Sequence, residues 1–318
     1  MKKGLLVHPS ELSRKWIDKL AQNNFTTLGI HPEGGLKAHE SLGRLVDLLS
    51  DKRFTDLLDY AEEKGLNIEY EFHALSYLLP RSLFSKNPEF FRMNESGERT
   101  PDLNMCFSSE EALDIVAENA RVLAKKLYKS SSNYFFWIDD ASAGKCNCAK
   151  CAGLSMSEQQ LIFSNRILRA LREEKADAKV AYLAYIDALS VPEKILPEEG
   201  IFVEYAPIFK WKKKILEPNF NSDLVEEEKN ACIPFLNFFG RENSRILEYW
   251  VDNSLFSRWT KPPKKLDIDL EQLKSDLAFY KDAGYSDVSS FACYLGEDYE
   301  DIFGEADLAP FFEAFYEL

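Results

Sequence analysis

The stretch Gly4–Ser13, GLLVHPSELS, decides between the two folds open to this sequence. An apolar run stops at His8-Pro9, and a helical pattern, SELSRKWIDKLAQNN (10–24), follows with Ser10 and Ser13 placed as caps. A doubly wound open sheet announces itself with a glycine-rich turn after its first strand. Here the turn VHPSELS (7–13) has a proline and no glycine. It favours a closed barrel.

The rest of the chain agrees with that reading. Seven more apolar or β-branched runs read as strands: FTTLGIH (25–31), LNIEYEFHA (66–74), NYFFWIDD (133–140), AKVAYLAY (178–185), IFVEYAPI (201–208), ILEYWVDN (246–253) and DVSSFACYL (287–295). Helical patterns lie between them. Residues 108–129 open on Ser108 or Ser109 with early glutamates, residues 157–175 carry apolar side chains three and four apart, and residues 270–285 end near Gly284. Eight strands alternating with helices fit an α/β fold, a single (β/α)8 TIM barrel over residues 1–318, with long loops at 74–108 and 141–157.

Composition narrows the partners. The 318 residues are 45% hydrophobic, enough for a large core, and carry 39 Lys+Arg against 53 Asp+Glu, a net charge of −14. Such a surface repels phosphate backbones and anionic lipid, so neither nucleic acid nor membrane is expected as a partner. The apolar run behind Met1-Lys2-Lys3 is too short for a secretory signal, and six cysteines in a chain of this length make no disulfide framework. A cytoplasmic protein is expected. Nothing in the sequence fixes its oligomeric state.

Function in such barrels collects at the C-terminal ends of the strands. Read in order, those ends give His8, His31 with Glu33, Glu71 with His73, Asp139-Asp140, Tyr185 with Asp187, Glu204 with Tyr205, Glu248 with Trp250 and Asp252, and Tyr294 with Glu297. Basic residues are nearly missing from this ring, which argues against a phosphorylated substrate. Carboxylates for hydroxyl groups and aromatic faces for pyranose rings suit a carbohydrate. Any one of these residues alone reads as a cap or a core side chain. Taken as a set, so many acids in one barrel mouth would be costly to leave unpaired.

Adjacent strand residues point to opposite faces, so Asp139 and Asp140 divide the work: one orients a substrate group while the other, protonated, donates to the leaving oxygen. WIDD (137–140) resembles the paired acids of the substrate-assisted family 20 and family 84 hexosaminidases. That resemblance gives Asp139 the 2-acetamido group, whose oxygen is the nucleophile, and Asp140 the role of general acid. The segment 68–80, IEYEFHALSYLLP, also resembles the third strand of family 20. As a series, EYEFHALSYLLPRSLF (69–84), LNMCFSSEEAL (103–113), FWIDD with CNCAKC (136–151), AYLAYIDAL (181–189), FVEYAPI (202–208) and LEYWVDNSLFSRW (247–259) resemble bacterial proteins carrying domain of unknown function 4838. Those are regarded as glycosidase-like barrels. Many of them show Asn-Asp where this chain has Asp139-Asp140, so the resemblance carries Asp140 over more firmly than Asp139.

Cys146, Cys148 and Cys151 form C-x-C-x2-C on the loop leaving the fourth strand. Thiolates so spaced can ligate one structural Zn²⁺, with Cys106 of the neighbouring loop as fourth ligand. Packed reduced thiols and a disulfide are the alternatives. The expected function is a retaining hydrolase of N-acetylhexosaminides or related oligosaccharides that needs no cofactor for catalysis. A carbohydrate-binding barrel without activity competes with it, as does a metal-dependent hydrolase built on His8, His31 and His73.

Overall fold

The eight apolar runs each form a strand: β1 (Lys2–Val7), β2 (Thr27–Ile30), β3 (Asn67–His73), β4 (Asn133–Trp137), β5 (Lys179–Ala184), β6 (Ile201–Tyr205), β7 (Ser244–Glu248) and β8 (Asp287–Phe291). In the computed structural model, which describes residues 1–316, they follow one another from β1 to β8 around a closed barrel. The pairing is parallel, with Gly4 opposite Thr27, Lys2 opposite Asp287, Glu71 opposite Phe135 and Ile246 opposite Val288. The fold is a (β/α)8 barrel, as the glycine-free first turn predicts.

The chain forms two compact units. One takes Met1–His31, Leu57–Ile68 and the residues from Tyr205 onward, and so holds β1, β2, β7 and β8. Its helix Arg14–Gln22 starts where the Ser13 hydroxyl accepts the Trp16 N–H, and Leu270–Ala283 ends at Gly284 with φ of 105°. Only a residue without Cβ takes that left-handed turn at no cost. Phe25 packs against Phe311, Phe312 and Phe315 in the same unit.

The other unit takes Pro32–Asp56 and Glu69–Glu204. Alternation along β4 sorts its aromatics: Phe135 meets Trp137 edge-on, while Tyr134 and Phe136 share the opposite face with Phe72. Ser109 caps helix Glu110–Ala124. Helix Met156–Arg172 opens on a full capping box between Ser155 and Glu158. Among the described residues, no helix is long and apolar enough to cross a membrane.

Several strands are shorter than expected, with β4 ending at Trp137, β6 at Tyr205 and β8 at Phe291, so Asp139, Asp140 and Tyr294 lie beyond them, and β7 differs at both ends. β7 begins at Ser244 and ends at Glu248, so Trp250 and Asp252 lie beyond it. All five of its residues are buried, and a strand covered on both faces carries no alternation to mark where it starts or stops.

Candidate active site

Asp139 and Asp140 lie just past β4, after Ile138, and bind two different sets of partners. Asp139 is taken up by the protein. Its carboxylate accepts the Ser76 N–H at 3.1 Å and the Asn104 N–H at 2.5 Å, and pairs with the Arg81 guanidinium. Arg81 also donates to the Asn104 carbonyl at 2.7 Å. Asn104 completes the clamp, since its side-chain oxygen accepts the Asp139 N–H at 2.9 Å and its amide donates to the Gly144 carbonyl at 3.0 Å. Asn104 is buried at φ of 46°, a left-handed conformation that asparagine tolerates better than most residues.

Asp140 stays accessible, with 27% of its side chain exposed. One oxygen accepts the Gly35 N–H at 3.1 Å and the other the Tyr185 hydroxyl at 3.1 Å. His73 stands beside it, with Nε2 at 3.9 Å. The Nδ1 of His73 is 2.6 Å from the Ile138 carbonyl, which can only accept, so Nδ1 carries the proton and Nε2 faces the acid. Trp137 meets the imidazole ring edge-on. Asp140 is thus held in place by one backbone donor and one hydroxyl while keeping a face to solvent.

Gly34 explains how the β2 loop comes so near. A Cβ there would lie 3.0 Å from the Asp140 Oδ2 and 3.3 Å from the His73 ring. Gly34→Val should therefore displace both side chains. Where Asp140 is the reacting group proposed below, a shift of about 1 Å costs on the order of 10²-fold in rate. Gly153→Val, where a Cβ would meet nothing within 4 Å, should leave the rate unchanged. Paired kcat/KM measurements check this.

The remaining candidates of this unit are placed as follows. Glu71 and Glu204 are fully buried, and His73 and Tyr185 belong to the Asp140 cluster. Cys106 joins Cys146, Cys148 and Cys151 in one buried group whose sulfur atoms all lie within 4.8 Å of one another. Among the described residues, no other group of three or more His, Cys, Asp or Glu offers ligand atoms together.

In the unit holding β7, several expected sugar-binding residues are packed away instead. The Glu248 carboxylate is fully buried, bonded to Lys210 Nζ at 2.5 Å, the Tyr280 hydroxyl at 2.5 Å and the Trp211 indole N–H at 2.9 Å. Burial raises its pKa against the opposing pull of Lys210. Trp250 is buried with its N–H on Asp276, and the Tyr205 hydroxyl donates to the Glu228 carbonyl. Asp252 caps helix Asn253–Phe256 through Ser254 and Leu255, and burial raises its pKa to about 6. His31 is buried edge-on against Phe291, its carbonyl 2.7 Å from His8 Nδ1. Sequence reading missed Arg81, Asn104, Gly34 and Gly35, which build the acid pair's surroundings. Arg81 and Asn104 lie inside the motifs LLPRSLF and LNMCF, but nothing in either motif ties them to Asp139.

The family described as "Domain of unknown function (DUF4838)" matches residues 50–231. No curated protein matches the sequence. Solved structures with the same fold include one described only as a glycoside hydrolase, at 14% identity and TM-score 0.54, covering 92% of this chain and 89% of the other. A glycoside hydrolase family 5 enzyme from Prevotella bryantii aligns at 11% identity and TM-score 0.53 over 96% and 86% of the two chains. Endo-glycoceramidase II from Rhodococcus sp. aligns at 10% identity and TM-score 0.53 over 92% and 72%. At these identities the likeness is one of fold.

Proposed function

The chain belongs to the family of domain of unknown function 4838, and from that premise we propose that it is a glycoside hydrolase with Asp140 as its general acid. One observation carries the proposal: Asp140 alone of the adjacent acids keeps a solvent face, while Gly35 and Tyr185 hold its carboxyl in place. Glycoside hydrolases among the structures of like fold support it. The substrates are N-acetylhexosaminides or related oligosaccharides.

Hydrolysis of a glycoside ordinarily uses two carboxyl groups. Asp139 is saturated by Arg81, Asn104 and Ser76, and Glu248 by Lys210, Tyr280 and Trp211. The reaction is read as substrate-assisted: the 2-acetamido oxygen bonds to C1 as the C1–O bond breaks and Asp140 passes its proton to the departing oxygen. Water then adds at C1, the ring formed by the acetamido group opens, and a proton returns to Asp140. Asp139 is a positioning residue here and does not hold the acetamido group, in contrast to the role implied by the hexosaminidase resemblance.

The test is a panel of chromogenic N-acetylhexosaminides with the product anomer followed by NMR. Release of sugar with retained configuration is expected. Binding of N-acetylglucosamine without turnover of any member would instead make this a carbohydrate-binding barrel, and inversion would exclude acetamido participation.

A further inference from the structure

We propose that Cys106, Cys146, Cys148 and Cys151 bind one zinc ion as four thiolates, and that this ion locks the two loops that hold Asn104 against Asp139. The sulfurs are already spaced for it. Zn–S bonds of about 2.3 Å in a tetrahedron set the sulfurs about 3.8 Å apart. Cys106 and Cys148 stand at 3.7 Å, and all four atoms fall within 4.8 Å of one another.

The surroundings are those that thiolates need. The Met93 N–H points at Cys146 Sγ at 3.4 Å, the Arg99 guanidinium lies 3.9 Å from the same sulfur, and the Ser108 hydroxyl sits 3.3 Å from Cys106 and 3.6 Å from Cys148. Four thiolates around Zn²⁺ leave a net charge of −2, and these donors and the cation offset it. The Gln159 carboxamide fixes the loop by accepting the Cys146 N–H at 2.8 Å and donating to the Cys146 and Cys151 carbonyls. Four buried protein sulfurs leave no position for water or substrate, so the ion is structural.

Its reach follows from the sequence. Asn104 lies two residues before Cys106, and Gly144, whose carbonyl receives the Asn104 amide, lies two before Cys146. The ion would tie together the two segments that Asn104 bridges, and through Asn104 it would fix Asp139. This holds whether or not the protein hydrolyses a glycoside, so the test does not rely on activity.

Elemental analysis of the purified protein should find one zinc per chain. A mercurial titration should release it as four thiols react, and Co²⁺ substitution should give the sulfur-to-metal band of a tetrathiolate site. Cys148→Ser should lose the metal, and Cys232→Ser, outside the cluster, should keep it. Stripping zinc from the wild-type chain should speed amide exchange roughly tenfold or more over residues 102–106 and 139–147, leaving β1 and β2 unchanged. Iron in place of zinc, a disulfide among the four cysteines, or free alkylation of all four in the native protein would overturn the site. Unchanged exchange after zinc loss would overturn its hold on Asn104.

Discussion

Asp140→Asn should lower kcat/KM by about 10² to 10⁴ on oligosaccharides and natural glycosides, the usual range for a lost general acid. On aryl glycosides with good leaving groups the loss should be far smaller, because a stable phenolate departs with little protonation. Asparagine has the shape of aspartate and keeps an oxygen for the Gly35 N–H or the Tyr185 hydroxyl, so the variant should fold normally and the difference should report the proton. Asp139→Asn is the contrasting variant. It weakens the pairing with Arg81 and turns an acceptor toward the Asn104 N–H into a donor, so both substrates should suffer alike. Comparing kcat/KM for the two variants on the two substrates separates proton donation from positioning. Equal and small losses for Asp140→Asn on both would mean that another acid donates. Asp187, which accepts the Ala143 N–H at 2.5 Å, would then be the next to replace, because Glu248 is sealed in its own network.

The sealed network of Glu248 belongs to the part of the molecule that its sequence left illegible, while the barrel was legible. The strands could be read because each is a short apolar run, and the closed barrel because the first turn lacks the glycines of an open sheet. Cys106 could be joined to the other three because consecutive βα loops are neighbours. The faces of β6 and β7 could not be read. A strand buried on both sides offers no polar–apolar alternation, so Glu248 and Tyr205 looked the same whether they faced the barrel interior or the helices. The structure links both to helices, through Tyr280 and Glu228. Arg81 and Asn104 escaped for another reason. They stand 58 and 35 residues from Asp139, and no local pattern encodes a contact over that distance. The ring of strand-end acids seemed short of basic partners only because Arg81 and Lys210 come to it from loops and short helices.

Lys210 sits in a buried charge network whose disruption should cost stability. Its ammonium bridges Glu248 at 2.5 Å and Asp276 at 2.8 Å, and Asp276 in turn accepts the Trp250 indole N–H at 2.9 Å. Removing one partner of a buried pair typically costs about 3–5 kcal/mol, since the other charge stays desolvated and uncompensated. Lys210→Met should therefore lower the unfolding free energy by roughly that amount near neutral pH. The loss should depend on pH in a defined direction. Burial already raises the pKa of Glu248 in the folded protein, and loss of the ammonium raises it further. A carboxyl whose folded pKa exceeds its unfolded value contributes stability that is present in full below the unfolded value and is lost as pH rises through the folded one. The penalty of Lys210→Met should thus be smaller at about pH 5 than at about pH 8.5. Adding Glu248→Gln removes the charge that needs a partner and leaves an oxygen for the Tyr280 hydroxyl or the Trp211 N–H, so the double variant should regain much of the loss at the higher pH. Urea unfolding of the single and double variants at both pH values measures each of these. A penalty that is the same at both, with no recovery in the double variant, would mean that Lys210 stabilises this unit by packing its methylene chain and not by holding the charge of Glu248.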